Sequence, residues 1–198
     1  MTDVLGPDHP HTADTLVHLG MVQLDSGEPQ AAKLLLQRAL ALDLHVFGKD
    51  HLRTARSMAG LAGALLETGE IDAARRYGEE ALAVRQKLLG SHHPDVGGSL
   101  ADQGWLWHAD GDSATARSLL ERAVTIMQST VGPRHFLTGR CQYKLAVVLR
   151  GCKDDLAAAQ LLEGAVVALE EALGPDHRWT IESVRTLREL RDQKPSDR

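Results

Sequence analysis

The chain has 198 residues, 43% of them apolar and 25% charged, with a net charge of −5. That composition suits a folded globular protein and excludes a disordered one. It also lacks the basic balance that nucleic acid demands, and its aromatic content of 4% leaves few rings for stacking on bases. No apolar run approaches the roughly 18 residues of a membrane helix, and the opening Met-Thr-Asp-Val-Leu-Gly-Pro-Asp has no signal-peptide character. Cys141 and Cys152 cannot build a disulfide framework. The expectation is a reduced, cytoplasmic chain with no nucleic-acid or membrane partner. The absence of Asn and the excess of Arg over Lys point to a GC-rich bacterial genome.

A period organises everything else. Gly6, Gly48, Gly90, Gly132 and Gly174 stand 42 residues apart, and so do His9, His51, His93, His135 and His177. Two alanine columns keep the same step: Ala32, Ala74, Ala116 and Ala158, then Ala39, Ala81, Ala123 and Ala165. Self-similarity at 20 to 50 residues marks a helical array or solenoid.

In chain order, the first unit places Leu16, Leu19, Val22 and Gln23 on one helical stripe, and Ala31, Ala32, Leu35, Leu36, Ala39 and Leu40 on the next. Between them Gly27 ends one helix, and Glu28-Pro29 suit the start of another. The spacing predicts a first helix of each unit over roughly 9–25, 51–67, 93–109 and 135–150. Second helices are expected over roughly 28–46, 70–88, 112–130 and 154–172. A fifth first-type helix, 176–193, is polar enough to cap the stack. The turns repeat at Thr68-Gly69-Glu70 and Asp110-Gly111-Asp112, whereas the fourth has Lys153 in the glycine column. An extra residue or an altered turn is expected there. The alanine columns fit interhelical distances of about 8–10 Å, which only small side chains allow.

Small residues at Gly20, Ala62, Gly104 and Ala146, with Leu16, Leu19, Gly27, Ala32 and Ala39 around the first, resemble the tetratricopeptide repeat. The 42-residue length and the Gly-Pro-Asp-His-Pro connector resemble its kinesin-light-chain variant. The resemblance covers roughly residues 5–190. It implies an all-α, right-handed solenoid of antiparallel helix pairs, the superhelix of that family. Its repeats would be 5–46, 47–88, 89–130 and 131–172, with a capping helix at 173–193. Val4-Leu5-Gly6 matches Val46-Phe47-Gly48, the tail of a second-type helix, so the chain is expected to end a longer array or to be part of a larger protein.

No residue pattern points to catalysis. Histidines one repeat apart lie on the order of 16–20 Å from each other, too far to share a metal at about 2 Å. They are expected to cap helices or bond the connectors. Asp110-Gly-Asp112 with Glu121 looks like a calcium loop, but Ala114 and Thr115 stand where a ligand and a glycine belong. The two cysteines are expected to be buried small hydrophobes. Neither cofactor nor metal is implied.

The remaining candidate is a surface. In the family the first helix of each pair lines the concave face, and the resemblance carries its groove positions onto this chain. They include His18 and Met21, then Arg56, then Asp102, Trp105 and His108, then Arg140, Tyr143, Lys144 and Arg150. Small residues (Ala59, Gly60, Gly63, Gly98, Ala101) are expected to open space in the middle. The basic residues Arg140, Lys144, Arg150 and Arg185 would favour an acidic partner with apolar anchors. The expected function is a non-catalytic scaffold that binds a peptide or partner segment in this groove. The alternative is a C-terminal sensor array of a larger signalling NTPase-type protein. Self-association through an uncapped N-terminal end is a third reading. The resemblance departs at positions where kinesin-light-chain repeats carry paired Asn: Val17-His18, Ala59-Gly60, Ala101-Asp102 and Tyr143-Lys144 hold none. Kinesin-type cargo specificity therefore does not transfer.

Overall fold

The computed structural model describes residues 10–192. Val4-Leu5-Gly6 and His9 lie outside them. The described residues form helices α1 (Pro10–Asp25), α2 (Pro29–Phe47), α3 (Leu52–Glu67), α4 (Ile71–Leu89), α5 (Pro94–Ala109), α6 (Ser113–Thr130), α7 (Phe136–Gly151), α8 (Asp155–Leu173) and α9 (Arg178–Asp192), with no strand. The fold is all-α, as the 3.6-residue periodicity predicts. The chain divides into two compact units, residues 1–91 with α1–α4 and residues 92–198 with α5–α9. Each is a row of helix hairpins: α1 packs on α2, α2 on α3 and α3 on α4 in the first, and consecutive helices from α5 to α9 pack likewise in the second.

Both kinds of connection are written into short motifs. Within a hairpin, Gly27, Gly69 and Gly111 take φ of 79°, 82° and 89°. The next residue donates its amide to a carbonyl five back: Glu28 to Gln23 at 2.8 Å, Glu70 to Leu65 at 2.8 Å, Asp112 to Trp107 at 3.0 Å. The expected altered turn at Lys153 is not found. Lys153 itself adopts φ 62°, and Asp154 donates to Leu149 at 2.9 Å. The turn is conserved in shape and the lysine bears the strain.

Between hairpins, the described members of the histidine column cap the helices that follow them, as expected. Nδ1 of His51, His93, His135 and His177 accepts the amide of the residue two further on, at 3.2, 3.1, 3.2 and 3.2 Å. Each imidazole satisfies one orphan donor of the helix that follows. Thr54 and Thr138 donate their hydroxyls to the carbonyls of Gly48 (2.6 Å) and Gly132 (2.7 Å), closing the same connector.

The core consists of the alanine and leucine columns. Ala32, Ala39, Ala74, Ala81, Ala116, Ala123, Ala158 and Ala165 are fully buried. A Cβ on Gly20 would lie 2.7 Å from Leu36 Cγ, and one on Gly104 would lie 2.7 Å from Leu120 Cγ. Leu36 also reaches across to α3, where a Cβ on Gly60 would meet its Cδ2 at 2.8 Å. Gly60 is thus a packing glycine rather than an opening in a groove. Burying Leu36 fully removes a side chain worth about 2–3 kcal/mol from water. A buried polar knot joins α2 to α3. Asp43 Oδ2 accepts from Ser57 Oγ at 2.6 Å. Arg53 lies 3.6 Å from Asp43 and 2.9 Å from Asp14, above the Phe47 ring.

Candidate partner-binding surface

The candidate residues fall into two sets, one in each unit. In residues 1–91, Met21 is exposed on α1, and Arg56 on α3 contacts His18 Nε2 at 2.9 Å and Asp14 at 3.8 Å. In residues 92–198 the set is richer. Among the first-type helices of that unit, α7 touches both α5 and α9 directly.

Those three helices are tied by polar bridges along one side. Lys144 on α7 donates to Asp102 Oδ1 on α5 at 2.7 Å, and its side chain is only 6% exposed. Arg150 on α7 donates to Glu189 on α9 at 2.6 Å. Arg185 pairs with Glu182 and lies 3.9 Å from Glu189. The cations expected to wait for an acidic partner are therefore largely engaged by the chain's own carboxylates. Lys144 in particular is buried, and a buried ammonium needs such a counter-charge.

Arg140 differs. Its guanidinium sits 5.5 Å from the centroid of Trp179, a ring that also meets Tyr143 edge-on at 5.7 Å and Arg178 at 5.4 Å. Burial, more than the nearby Glu182 carboxylate, holds the Tyr143 phenol above its ordinary value. On α5, Trp105 lies 5.2 Å from His108. Burial pushes the His108 imidazole below its usual range, and its buried Nδ1 has no hydrogen-bond partner. Trp179 was not among the sequence candidates. Its column holds Arg53, Asp95 and Leu137, so only its place one turn before Glu182 signalled this face.

The small residues do open a recess, though a minor one. Gly98, Ala101, Leu137, Arg140, Cys141 and Lys144 line about 20 Å³, room for roughly one water. Cys141 is buried there, which raises its thiol to about 11 and makes it inert. Cys152, expected to be buried, is exposed because it sits in the α7–α8 turn. The calcium-loop likeness dissolves as well. Asp112 caps α6, accepting from the Thr115 amide at 3.0 Å and the Thr115 hydroxyl at 2.7 Å, and these bonds lower its carboxyl pKa. No helix among the described residues is long and apolar enough to cross a membrane.

A row of helix hairpins with histidine-capped connectors defines a helical repeat protein. Two family models, both described as tetratricopeptide repeat, match the chain, one at residues 54–95 and 138–178 and the other at residues 1–45. The chain belongs to the tetratricopeptide-repeat family, in its kinesin-light-chain-like form. Its structure is similar to that of a Podosopora anserina protein described as a kinesin light chain with nearly identical TPR-like repeats. The TM-score is 0.69 at 25% identity, over 93% of this chain and 87% of that one. It is also similar in fold to BtubC (BKLC) from P. vanneervenii, with a TM-score of 0.66 at 16% identity over 96% and 85%. No curated protein matches. Repeats of this family make the chain a protein-interaction scaffold in general terms.

Proposed function

We propose that the α5–α7–α9 side of residues 92–192 binds an extended segment of a partner protein, without catalysis. Trp105, Tyr143 and Trp179 would supply apolar anchorage, and Arg140 the charge that selects an acidic residue beside the anchor. One observation carries the reading. Arg140 and Tyr143 converge on the Trp179 ring from a neighbouring helix, on a face otherwise neutralised by Lys144–Asp102 and Arg150–Glu189. Clustered aromatic and arginine side chains are what binding hot spots are made of, and bridged neighbours hold them in place before the partner arrives. Arg150 and Lys144 are then positioning residues, with His108 fixing the Trp105 ring. His18, Met21 and Arg56 form a second, weaker set on α1 and α3. The reading divides the chain into repeats 5–46, 47–88, 89–130 and 131–172 with 173–193 as the cap. The exposed thiol of Cys152 fits a reducing, cytoplasmic setting.

The test is capture of partners from the native host with wild type and with the Trp105→Ala, Arg140→Glu double variant. The variant should lose the captured protein, with at least a ten-fold fall in affinity, about 1.4 kcal/mol. Equal capture by both would remove this surface from the account.

A further inference from the structure

Three helical glycines of the second unit are required by packing. A Cβ on Gly97 would lie 3.0 Å from Ile126 Cγ2, one on Gly104 2.7 Å from Leu120 Cγ, and one on Gly139 3.0 Å from Leu169 Cγ. Gly98 is different, because a Cβ there would meet only Met127 Cε, at an ordinary 3.7 Å. Glycine inside a helix costs about 1 kcal/mol relative to alanine, and no close neighbour accounts for it at Gly98.

Repetition shows what belongs at this position. Asp14, Arg56, Gly98, Arg140 and Glu182 stand one repeat apart. In the first unit two of them pair: Asp14 on α1 lies 3.8 Å from Arg56 and 2.9 Å from Arg53, both on α3. Two repeats further on, Gly98, Arg140 and Leu137 hold the places of Asp14, Arg56 and Arg53. All three line the recess of about 20 Å³ between α5 and α7. Arg140 therefore keeps the arginine of the pair and lacks its carboxylate. The acids on either side are engaged: Asp102, one turn along α5, accepts from Lys144 at 2.7 Å, and Glu182 on α9 pairs with Arg185. Among the described residues Arg140 makes no ion pair, and its guanidinium rests against the Trp179 ring. Ala101, Met127 and Cys141, which form other walls of the recess, are buried and uncharged, so an ion pair formed there is less screened than one in open water.

We propose that this recess is the subsite for an aspartyl or glutamyl carboxylate of the partner, seated over Gly98 and paired with Arg140 as Asp14 is with Arg56. The proposal rests on the binding surface described above and fixes where its acidic residue goes. Gly98 is the specificity-determining residue, since a side chain on it would occupy the carboxylate's place. Arg140 supplies the charge-assisted hydrogen bonds.

The probe is N-acetyl-aspartate N-methylamide, titrated into the full chain while backbone amide resonances of 98–102 and 139–144 are followed by NMR. Those resonances should shift saturably, and the uncharged asparagine analogue should bind more weakly by about ten-fold or more. Gly98→Asp supplies the carboxylate from within, as Asp14 does, and should lower the probe's affinity by about ten-fold or more without loss of thermal stability. Arg140→Gln, which breaks no ion pair of the chain, should have the same effect on binding and decides the matter if Gly98→Asp unfolds. Absence of a saturable shift, equal binding of the asparagine analogue, or unchanged binding by a folded Gly98→Asp or by Arg140→Gln would each overturn the proposal. Inorganic phosphate binding more tightly than the aspartyl probe would also overturn it, assigning the recess to a phosphate. The probe needs no partner, so its failure removes this subsite alone, whereas capture unaffected by Trp105→Ala with Arg140→Glu removes the surface itself.

Discussion

Lys153 shows how little freedom a single position has once the hairpin geometry is fixed. Three hairpins put glycine at this point, and the fourth forces a lysine to φ 62°, a conformation that costs an L-residue about 1–2 kcal/mol. Lys153→Gly should therefore stabilise the chain by about 1 kcal/mol, read from urea unfolding; no gain would mean the strain is relieved locally. The sequence misled here because the lysine suggested a different turn. The tertiary contacts of α7 and α8 outweigh one residue's preference. Lys144 was misread for a related reason, yet a signal existed. Its column runs His18, Gly60, Asp102, Lys144, and opposite charges one repeat apart in a groove column should meet.

His108 carries the pH dependence at this scale. Burial lowers its pKa in the folded chain, so protonation favours the unfolded state. Its neutral form contributes stability that is present above the ordinary imidazole value of about 6.5 and fades as pH falls through the lowered one. Wild type should lose stability on acidification below about pH 6.5 more steeply than His108→Gln, by parallel denaturation curves. Superimposable curves would remove His108 from the account.

At the scale of the element, hairpins hold because one helix carries the knob and the other the notch. Gly20 and Gly104 are notches for Leu36 and Leu120. In the second hairpin the same two columns read Ala62 and Gly78, so no leucine faces a glycine there. Gly104→Val should push α5 from α6, with Leu120 Cγ 2.7 Å and the Ala116 carbonyl 3.1 Å from the new Cβ. The expected cost is about 1–3 kcal/mol, checked by thermal unfolding; an unshifted midpoint would show that the helices can separate freely. This level was the most legible in the sequence. Period, helix type, turns and histidine caps all follow from local patterns that repeat, and repetition exposes them. The candidate surface was less legible, because a face is assembled from residues about 40 apart whose pairing depends on side-chain reach. Trp179 and the Arg150–Glu189 bridge belong to that class.

For the molecule as a whole, the repeat explains both stability and purpose. A hairpin alone buries too little, and its neighbours supply the rest, so the chain invests its apolar residues between hairpins and leaves helix faces for recognition. The chain's net charge of −5 coexists with a local face where Arg140 meets aromatic rings, and the proposed preference for an acidic segment rests on that local arrangement. The most direct measurement is a hydrogen-exchange footprint of the chain with and without a captured partner. Slowed exchange should concentrate in 98–109, 139–150 and 178–189, the segments bearing Trp105, Tyr143, Arg140 and Trp179. Protection confined to α2, α4, α6 and α8, with those segments unchanged, would contradict the account.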